Sequence, residues 1–144
     1  MPLSGEYEPS TRGPVRDQVE LYERTDGAEG NALHGLPIVV LTTVGKRSGK
    51  LRKSPVMRVE HHGRYLVVAS LGGAPTSPSW YHNIMASPLV ELQDGPVRKD
   101  YACKLLSGTE RELWWRRAVE AFPQYAAYQA RTTREIPLVL LEAS

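Results

Sequence analysis

Short apolar runs alternate with turns containing glycine or proline along most of the chain, and this pattern predicts strands joined by tight turns. Strands are expected at about 36–44, 51–60, 64–70, 89–93, 97–106 and 136–141. Asp94-Gly95 is typical of a hairpin turn. Pro55 lies inside the second run and cannot donate to a ladder, so we expect that strand at a sheet edge or with a bulge.

Helical spacing is found in four segments, at about 14–25, 78–86, 107–122 and 125–131. In the first, Val15, Val19 and Tyr22 form one apolar stripe. In the third, the capping-box spacing of Ser107 and Glu110 marks the start. Its buried face is expected to contain Leu113, Trp114, Val119 and Phe122.

Short strands with tight turns and few helices predict a mainly β (α+β) fold, a small closed or half-closed barrel with helical flaps. We expect residues 31–144 to form the barrel domain. Residues 1–30 are expected to be an extension, flexible up to residue 13 and then an amphipathic helix. That helix could dock on the barrel, cover a site or lie on a membrane surface. A chain of 144 residues is long enough for one core and too short for two.

The formal net charge of +2 is too small to indicate a nucleic-acid partner by itself. The cations cluster instead in a turn that starts and closes on Gly45 and Gly49. Glycine allows backbone N–H groups to point outward as an anion nest. Donors and charges around it would come from Lys46, Arg47, Ser48, Lys50 and Arg52. The pattern therefore indicates a phosphate or carboxylate site. A solvated turn and a nucleic-acid contact are the alternatives. The segment lacks the spacing of a P-loop, so we do not expect a nucleoside triphosphate site. It also lacks the interleaved aromatic residues that are typical of a nucleic-acid contact.

Little in the sequence indicates catalysis by side chains alone. Cys103 has no second cysteine with which to form an internal disulfide, and it reads as a small residue of a strand. Adjacent His61 and His62 point in opposite directions on an extended chain, so we expect no metal site. No nucleophile stands beside a base. Hydroxyls, aromatic residues and an anion site without an acid, base or metal favour chemistry performed by a bound cofactor.

The start of the chain has neither the basic nor the apolar region of a secretory signal, and no run is long enough for a membrane span. We therefore expect a cytoplasmic protein.

Several separated motifs resemble the deazaflavin-dependent nitroreductase family, small split β-barrel oxidoreductases that use coenzyme F420. The similar segments are 41–52, 68–75, 78–84, 123–129 and 133–137, and the resemblance covers about 36–142. It implies a six-stranded split β-barrel of the FMN-binding-like kind. The implied cofactor is F420 (8-hydroxy-5-deazaflavin), with FMN as the alternative.

The same resemblance implies roles for individual residues. Lys46, Arg47, Ser48 and Arg52 would hold the phosphate and the glutamate-bearing tail of F420. The remaining cofactor-binding residues would be Thr43, Ser54, Pro55, Val56, Met57, Ala69, Ser70, Gly72, Gly73, Trp80, Tyr81 and Asn83. Ser70, Tyr125 and Tyr128 would be catalytic, donating to an oxygen of the acceptor. The alternative for the two tyrosines is that they only pack the last helix onto the barrel.

Three departures from the family pattern bear on the acceptor. Met57 stands where nitro-reducing members carry a tyrosine, Leu71 replaces a lysine, and Phe122 replaces a further hydroxyl-bearing aromatic residue. We therefore expect a reductase that transfers a hydride to a quinone, enone or nitroaromatic acceptor, with quinones and enones favoured. The alternative is a protein that binds F420 or a flavin for storage or delivery.

The expected partners are this small-molecule acceptor and an F420-reducing dehydrogenase as the source of reduced cofactor. We expect no nucleic acid. A further expected alternative is peripheral contact with the inner face of the cell membrane through the N-terminal helix.

Overall fold

The computed structural model describes residue 3 and residues 5–143. The protein consists of a single antiparallel sheet that is curled into a half-barrel and flanked by helices. Within these residues the strands are β1 (Ala32–Leu33), β2 (Leu36–Val44), β3 (Leu51–Met57), β4 (Glu60–His61), β5 (Arg64–Val68), β6 (Leu89–Asp94), β7 (Val97–Leu105) and β8 (Leu138–Ala143). The helices are α1 (Gly13–Arg24), α2 (Ser79–Ala86), α3 (Gly108–Ala121) and α4 (Gln124–Ala130), with a short 3₁₀ turn at Leu71–Gly73. Expectations for Met1, Pro2, Ser4 and Ser144 lie outside the described residues.

The predicted mainly β fold with helical flaps is confirmed. Each of the six expected strands is present, and β1 and β4 are two-residue additions that the sequence did not reveal. The sheet order is β1-β2-β6-β7-β8-β5-β4, and β3 pairs with β2. Among the described strands β3 has no second partner, so the edge position that Pro55 predicted is confirmed. Strand β5 pairs with β8 and β4 rather than with β3.

Strand β2 is buried on both faces of the sheet, which is why its apolar sequence is continuous. Ile38 and Val40 face the core cluster beneath α1, α3 and α4, while Val39 and Leu41 face the cluster that includes Trp80 of α2. Alternation along one strand therefore supplies both cores.

Helix α3 packs through a narrower stripe than predicted. Trp114, Ala118 and Phe122 are buried, at a four-residue spacing, whereas Leu113 is 45% exposed. Leu113 precedes the stripe by one residue and is thus turned about 100° away from Trp114. Ser107 is the N-cap residue, but its side chain makes no capping hydrogen bond, so the predicted capping box does not form.

Helix α1 docks on the sheet. Val19 and Tyr22 are each 1% exposed, and the Tyr22 hydroxyl accepts a hydrogen bond from the Gly95 amide at 2.7 Å. No helix in the part of the chain described here is long and apolar enough to cross a membrane.

Residues 5–8, which we call the N-terminal strap, were expected to be flexible but run beside the start of β3. Tyr7 and Leu51 form a parallel bridge. This expectation failed because short paired segments carry no apolar periodicity that would distinguish them from a loop.

Candidate functional site

The basic turn, residues 45–50, is held in place from α2. The Lys46 amide donates to Asn83 Oδ1 at 2.9 Å, and Asn83 Nδ2 donates to Thr43 Oγ1 at 3.1 Å. Asn83 is 8% exposed, so it connects the turn to the sheet from a nearly buried position. A Cβ at Gly45 would lie 2.7 Å from Ser48 Oγ and 3.1 Å from the Lys50 carbonyl oxygen, so glycine allows the close approach of the two ends of the turn.

The backbone of this turn is less available to an anion than the sequence suggested. The amides of Gly45, Lys46, Gly49 and Lys50 all donate to acceptors within the protein. The predicted nest is therefore largely used internally, and anion binding must depend mainly on the side chains around the turn.

Those cationic side chains differ in whether they are already paired. Arg52 Nη1 lies 2.9 Å from Glu8 Oε1, and Lys50 Nζ lies 3.7 Å from Glu6 Oε2. Lys53 is paired with Glu23 of α1. Among the described residues, no ion pair involves Lys46 or Arg47, and both are exposed. A ligand would therefore meet these two cations first.

A cleft of about 600 Å³ opens at the basic turn, and we call it the basic cleft. It is lined by Glu8, Gly45, Lys46, Arg47, Ser48, Arg52, Ser79, His82 and Asn83. The sequence-predicted residues Lys46, Arg47, Ser48, Arg52 and Asn83 thus come together here. Glu8 and Ser79 were not foreseen.

A second cavity of about 220 Å³, which we call the aromatic recess, lies on the other side of the first turn of α2. It is lined by Leu33, His34, Pro55, Val56, Met57, Val68, Ser70, Leu71, Pro78, Trp80, Phe122, Tyr125 and Tyr128. The three residues predicted to be catalytic, Ser70, Tyr125 and Tyr128, therefore share one cavity with Met57 and Trp80. Ser79 faces the basic cleft and its neighbours Pro78 and Trp80 face the recess, so the two cavities adjoin.

Aromatic rings form one wall of the recess. The Phe122 and Tyr125 ring centroids are 4.9 Å apart at 87°, and those of Tyr125 and Tyr128 are 6.2 Å apart at 72°. These are edge-to-face contacts of the favourable kind. His34 stacks on Phe122 at 5.7 Å, in a turn that places its φ at 53°. The sequence analysis missed His34, although the pair His34-Gly35 before a strand is a signal for such a turn.

Burial keeps the Tyr125 hydroxyl protonated. Its side chain is 4% exposed, and desolvation, with a smaller contribution from Tyr128, raises the pKa of Tyr125 above its ordinary value. A phenol that stays neutral is a hydrogen-bond donor, which is the role a developing negative charge on an acceptor requires.

The loop after β5 is fixed by one guanidinium group. Arg134 donates to the carbonyl oxygens of Ala69 (3.1 Å), Ser70 (2.9 Å), Ala74 (2.9 Å) and Thr76 (3.0 Å). These bonds hold Ser70 at the edge of the recess. Sequence analysis gave Arg134 no such role.

Gly73 lets this loop approach α4. Its φ is 83°, and a Cβ there would lie 2.6 Å from the Tyr128 carbonyl oxygen. Glycine at this position therefore permits the contact between the loop and the helix that carries the two tyrosines.

The remaining predicted residues line neither cavity. Thr43 and Ala69 are buried in the sheet, while Ser54, Tyr81, Gly72 and Gly73 lie nearby in strand, helix and loop. Cys103 is half-buried, and burial raises the pKa of its thiol to about 12, which suits the expected packing role better than nucleophilic chemistry. No cluster of three or more potential metal ligands occurs within the described ranges.

Comparison with known proteins identifies the family. The sequence profile of the family described as F420H(2)-dependent quinone reductase matches residues 14–143. The chain belongs to this family. As a member of the F420H(2)-dependent quinone reductases it is an oxidoreductase whose cofactor is F420, and the resemblance seen in the sequence is confirmed.

Individual relatives agree with the family assignment. An F420H(2)-dependent quinone reductase of Mycobacterium tuberculosis (strain ATCC 25618 / H37Rv) is 35% identical over 125 residues, which are 84% of each chain. A solved F420-H2 dependent reductase, FDR-A, is 51% identical with a TM-score of 0.70, covering 77% of this chain and 100% of that one. A solved structure described as a domain-swapped dimer is 48% identical with a TM-score of 0.73, covering 88% and 96%. The split-barrel prediction is thereby confirmed.

The residues present fit an F420H(2)-dependent reductase. Lys46 and Arg47, which have no carboxylate partner among the described residues, suit the anionic part of the cofactor. The adjoining recess has the aromatic walls and hydroxyl donors that a flat acceptor requires.

Proposed function

We propose that this protein transfers a hydride from reduced F420 to a quinone. The basic cleft would hold the phosphate and glutamate-bearing tail of the cofactor through Lys46, Arg47, Ser48 and Arg52. The aromatic recess would receive the deazaflavin ring of the cofactor together with the acceptor. The observation that carries the proposal is that Ser79 faces the cleft while its neighbour Trp80 faces the recess, so that one elongated ligand can reach both.

The bound cofactor supplies the hydride at C5 of the reduced deazaflavin ring. Reduction of a quinone to a quinol consumes one proton in addition to the hydride. Ser70, Tyr125 and Tyr128 would donate hydrogen bonds to the acceptor oxygens and stabilise the negative charge that develops there. Phe122 and the two tyrosines would exclude water from the reacting atoms.

The remaining parts of the cofactor site are also proposed from the resemblance and from position. Pro55, Val56 and Met57 line the recess from β3, and Gly72 and Gly73 keep the opposite loop free of side chains. Asn83 would act by fixing the basic turn, and Thr43 through its hydrogen bond with Asn83.

Fluorescence titration with oxidised F420, with FMN as competitor, tests the cofactor site. We expect saturable binding that FMN does not displace. The double variant Lys46→Ala/Arg47→Ala should bind about tenfold more weakly or worse, since two charge-assisted contacts are lost. Lys104→Ala is the matched control, because Lys104 pairs with Glu110 and lines neither cavity.

Steady-state reduction of menadione by reduced F420 tests the reaction. Turnover that falls in the double variant and persists in Lys104→Ala supports the proposal. Preferential FMN binding would contradict the cofactor assignment to this site, and tight F420 binding without turnover would favour storage or delivery.

Two partners belong to the same proposal. A dehydrogenase that reduces F420 would supply the cofactor, as the reaction requires. Peripheral membrane contact through α1 would bring the protein to lipid quinones, but Val19 and Tyr22 of its apolar stripe are buried in the fold. Liposome co-sedimentation of the full chain, compared with a chain lacking residues 1–24, tests this contact; equal sedimentation would refute it.

A further inference from the structure

The N-terminal strap borders the basic cleft through Glu8, which lines it beside Arg52. The Leu51 amide donates to the Glu6 carbonyl oxygen at 2.8 Å, and the Glu8 amide donates to the Leu51 carbonyl oxygen at 2.9 Å. These two hydrogen bonds fix the register of the strap against β3.

In this register the carboxylates of the strap lie beside cationic side chains at the start of β3 and in the turn before it. Alternate residues of an extended segment share a face, so Glu6 and Glu8 point to one side and Tyr7 to the other. Glu6 lies 3.7 Å from Lys50 and Glu8 lies 2.9 Å from Arg52. On the opposite side, the Tyr7 ring is 5.1 Å from Lys53 Nζ.

Both ion pairs are accessible to a competitor. The exposed side-chain fractions are 74% for Glu6, 43% for Lys50, 41% for Glu8 and 35% for Arg52. A solvent-exposed pair of this kind changes an equilibrium constant by only about two- to fivefold. Lys53 differs, because its pair with Glu23 is far less exposed, at 14% and 19%. An anionic ligand can therefore replace the strap carboxylates without disturbing the contact that holds α1.

We propose that Glu6 and Glu8 compete with the anionic tail of the cofactor for Lys50 and Arg52, an inference that rests on the proposed function. This competition would determine how strongly the length of the tail affects the affinity for the cofactor. Lys46 and Arg47 are exposed and have no ion-pair partner among the described residues, so they are open to the phosphate. Each further carboxylate of the tail gains a cation only by displacing one from the strap. The strap thereby limits the preference for long tails.

Titration of the full chain with oxidised F420 carrying short or long oligoglutamate tails tests this inference. We expect Glu8→Gln to bind the long-tailed cofactor about two- to fivefold more tightly, with a smaller gain for the short-tailed one. Glu6→Gln/Glu8→Gln should widen that difference. The matched control is Asp17→Asn, which also removes one exposed carboxylate but lines neither cavity.

The outcomes separate the two proposals. Equal changes in Glu8→Gln and Asp17→Asn, or weaker binding by Glu8→Gln, would overturn the role of the strap while leaving the cofactor assignment intact. Failure of the unmodified chain to bind F420 with either tail would overturn both. Thermal unfolding of each variant checks that the substitutions have not altered the fold.

Discussion

Replacing Gly73 by alanine is expected to destabilise the protein more than the same change at the neighbouring Gly72. Both residues have positive φ, at 83° and 65°, so alanine would be strained at either position. A left-handed conformation costs an L-residue about 1–2 kcal/mol. The positions differ in their surroundings. A Cβ at Gly73 would lie 2.6 Å from the Tyr128 carbonyl oxygen, whereas one at Gly72 would meet nothing within 4 Å.

The difference between the variants isolates the contact with α4. Inserting a methyl group into a packed site costs about 1–3 kcal/mol. The reduced freedom of the unfolded chain, worth about 0.4–1 kcal/mol, and the backbone strain are similar for both changes and cancel. We therefore expect Gly73→Ala to be less stable than Gly72→Ala by about 1–3 kcal/mol. For a chain of this length, that is a difference in Tm of about 3–9 °C.

Urea unfolding followed by tryptophan fluorescence measures this difference, provided that the dependence of the free energy on urea is the same for both variants. Equal stability of Gly73→Ala and Gly72→Ala would refute the reasoning, because it would show that α4 moves away from the loop at no cost. Near-ultraviolet circular dichroism provides a second observable, since displacement of α4 should change the signal of its tyrosines only in Gly73→Ala.

Three further outcomes follow from the site and its surroundings. Arg134→Lys should lower the free energy of unfolding by about 2–4 kcal/mol, because an ammonium group cannot replace a planar donor to several carbonyls. Urea unfolding measures this loss. Arg131→Lys is the control, since Arg131 donates to one carbonyl oxygen at 3.3 Å. Tyr125→Phe should lower kcat with menadione by about 10²-fold, as one buried donor to the acceptor is lost, while its affinity for F420 stays within about twofold; a kcat equal to that of the unmodified chain would assign the tyrosine to packing alone. Cys103 has its pKa raised from 9.0 to about 12 by burial, so the folded chain binds more protons than the unfolded chain between these values. The stability that Cys103 contributes is fully present below pH 9.0 and is lost as the pH rises towards about 12. The free energy of unfolding, measured below and above pH 9.0, should therefore fall less in Cys103→Ala than in the unmodified chain. Equal falls in the two proteins would contradict this prediction.

The local pattern of the sequence predicted most elements of the fold because their signals are short-range. Alternating apolar residues and turn glycines located the long strands, and Pro55 correctly indicated an edge. The pairing of β5 with β8 was not predictable in this way, since it joins segments far apart in the chain. Leu113 was misplaced because Ala118, a small residue, defines the buried stripe of α3 and gives a weak hydrophobic signal.

The candidate site was predictable where its residues cluster in the chain. Lys46, Arg47 and Arg52 follow one another closely and line one cleft. Ser70, Tyr125 and Tyr128 are far apart in the chain, and the resemblance rather than any local pattern brought them together as residues that share the recess. The role of Arg134 depends on carbonyl groups of a loop about sixty residues earlier, which no periodicity reports. Glu8 was missed as well, although the alternation of acids at 6 and 8 opposite cations at 50 and 52 was a usable signal.

The position of β3 has a consequence for the N-terminal strap, which covers part of its free edge. This strand pairs with β2 alone in the described structure, and an uncovered edge strand can pair with another molecule. The Leu51 amide and carbonyl are already occupied by the N-terminal strap, and Pro55 has no amide hydrogen to offer. A chain shortened to begin after Glu8 is therefore expected to present Leu51 to a second copy and to associate edge to edge more readily than the full chain.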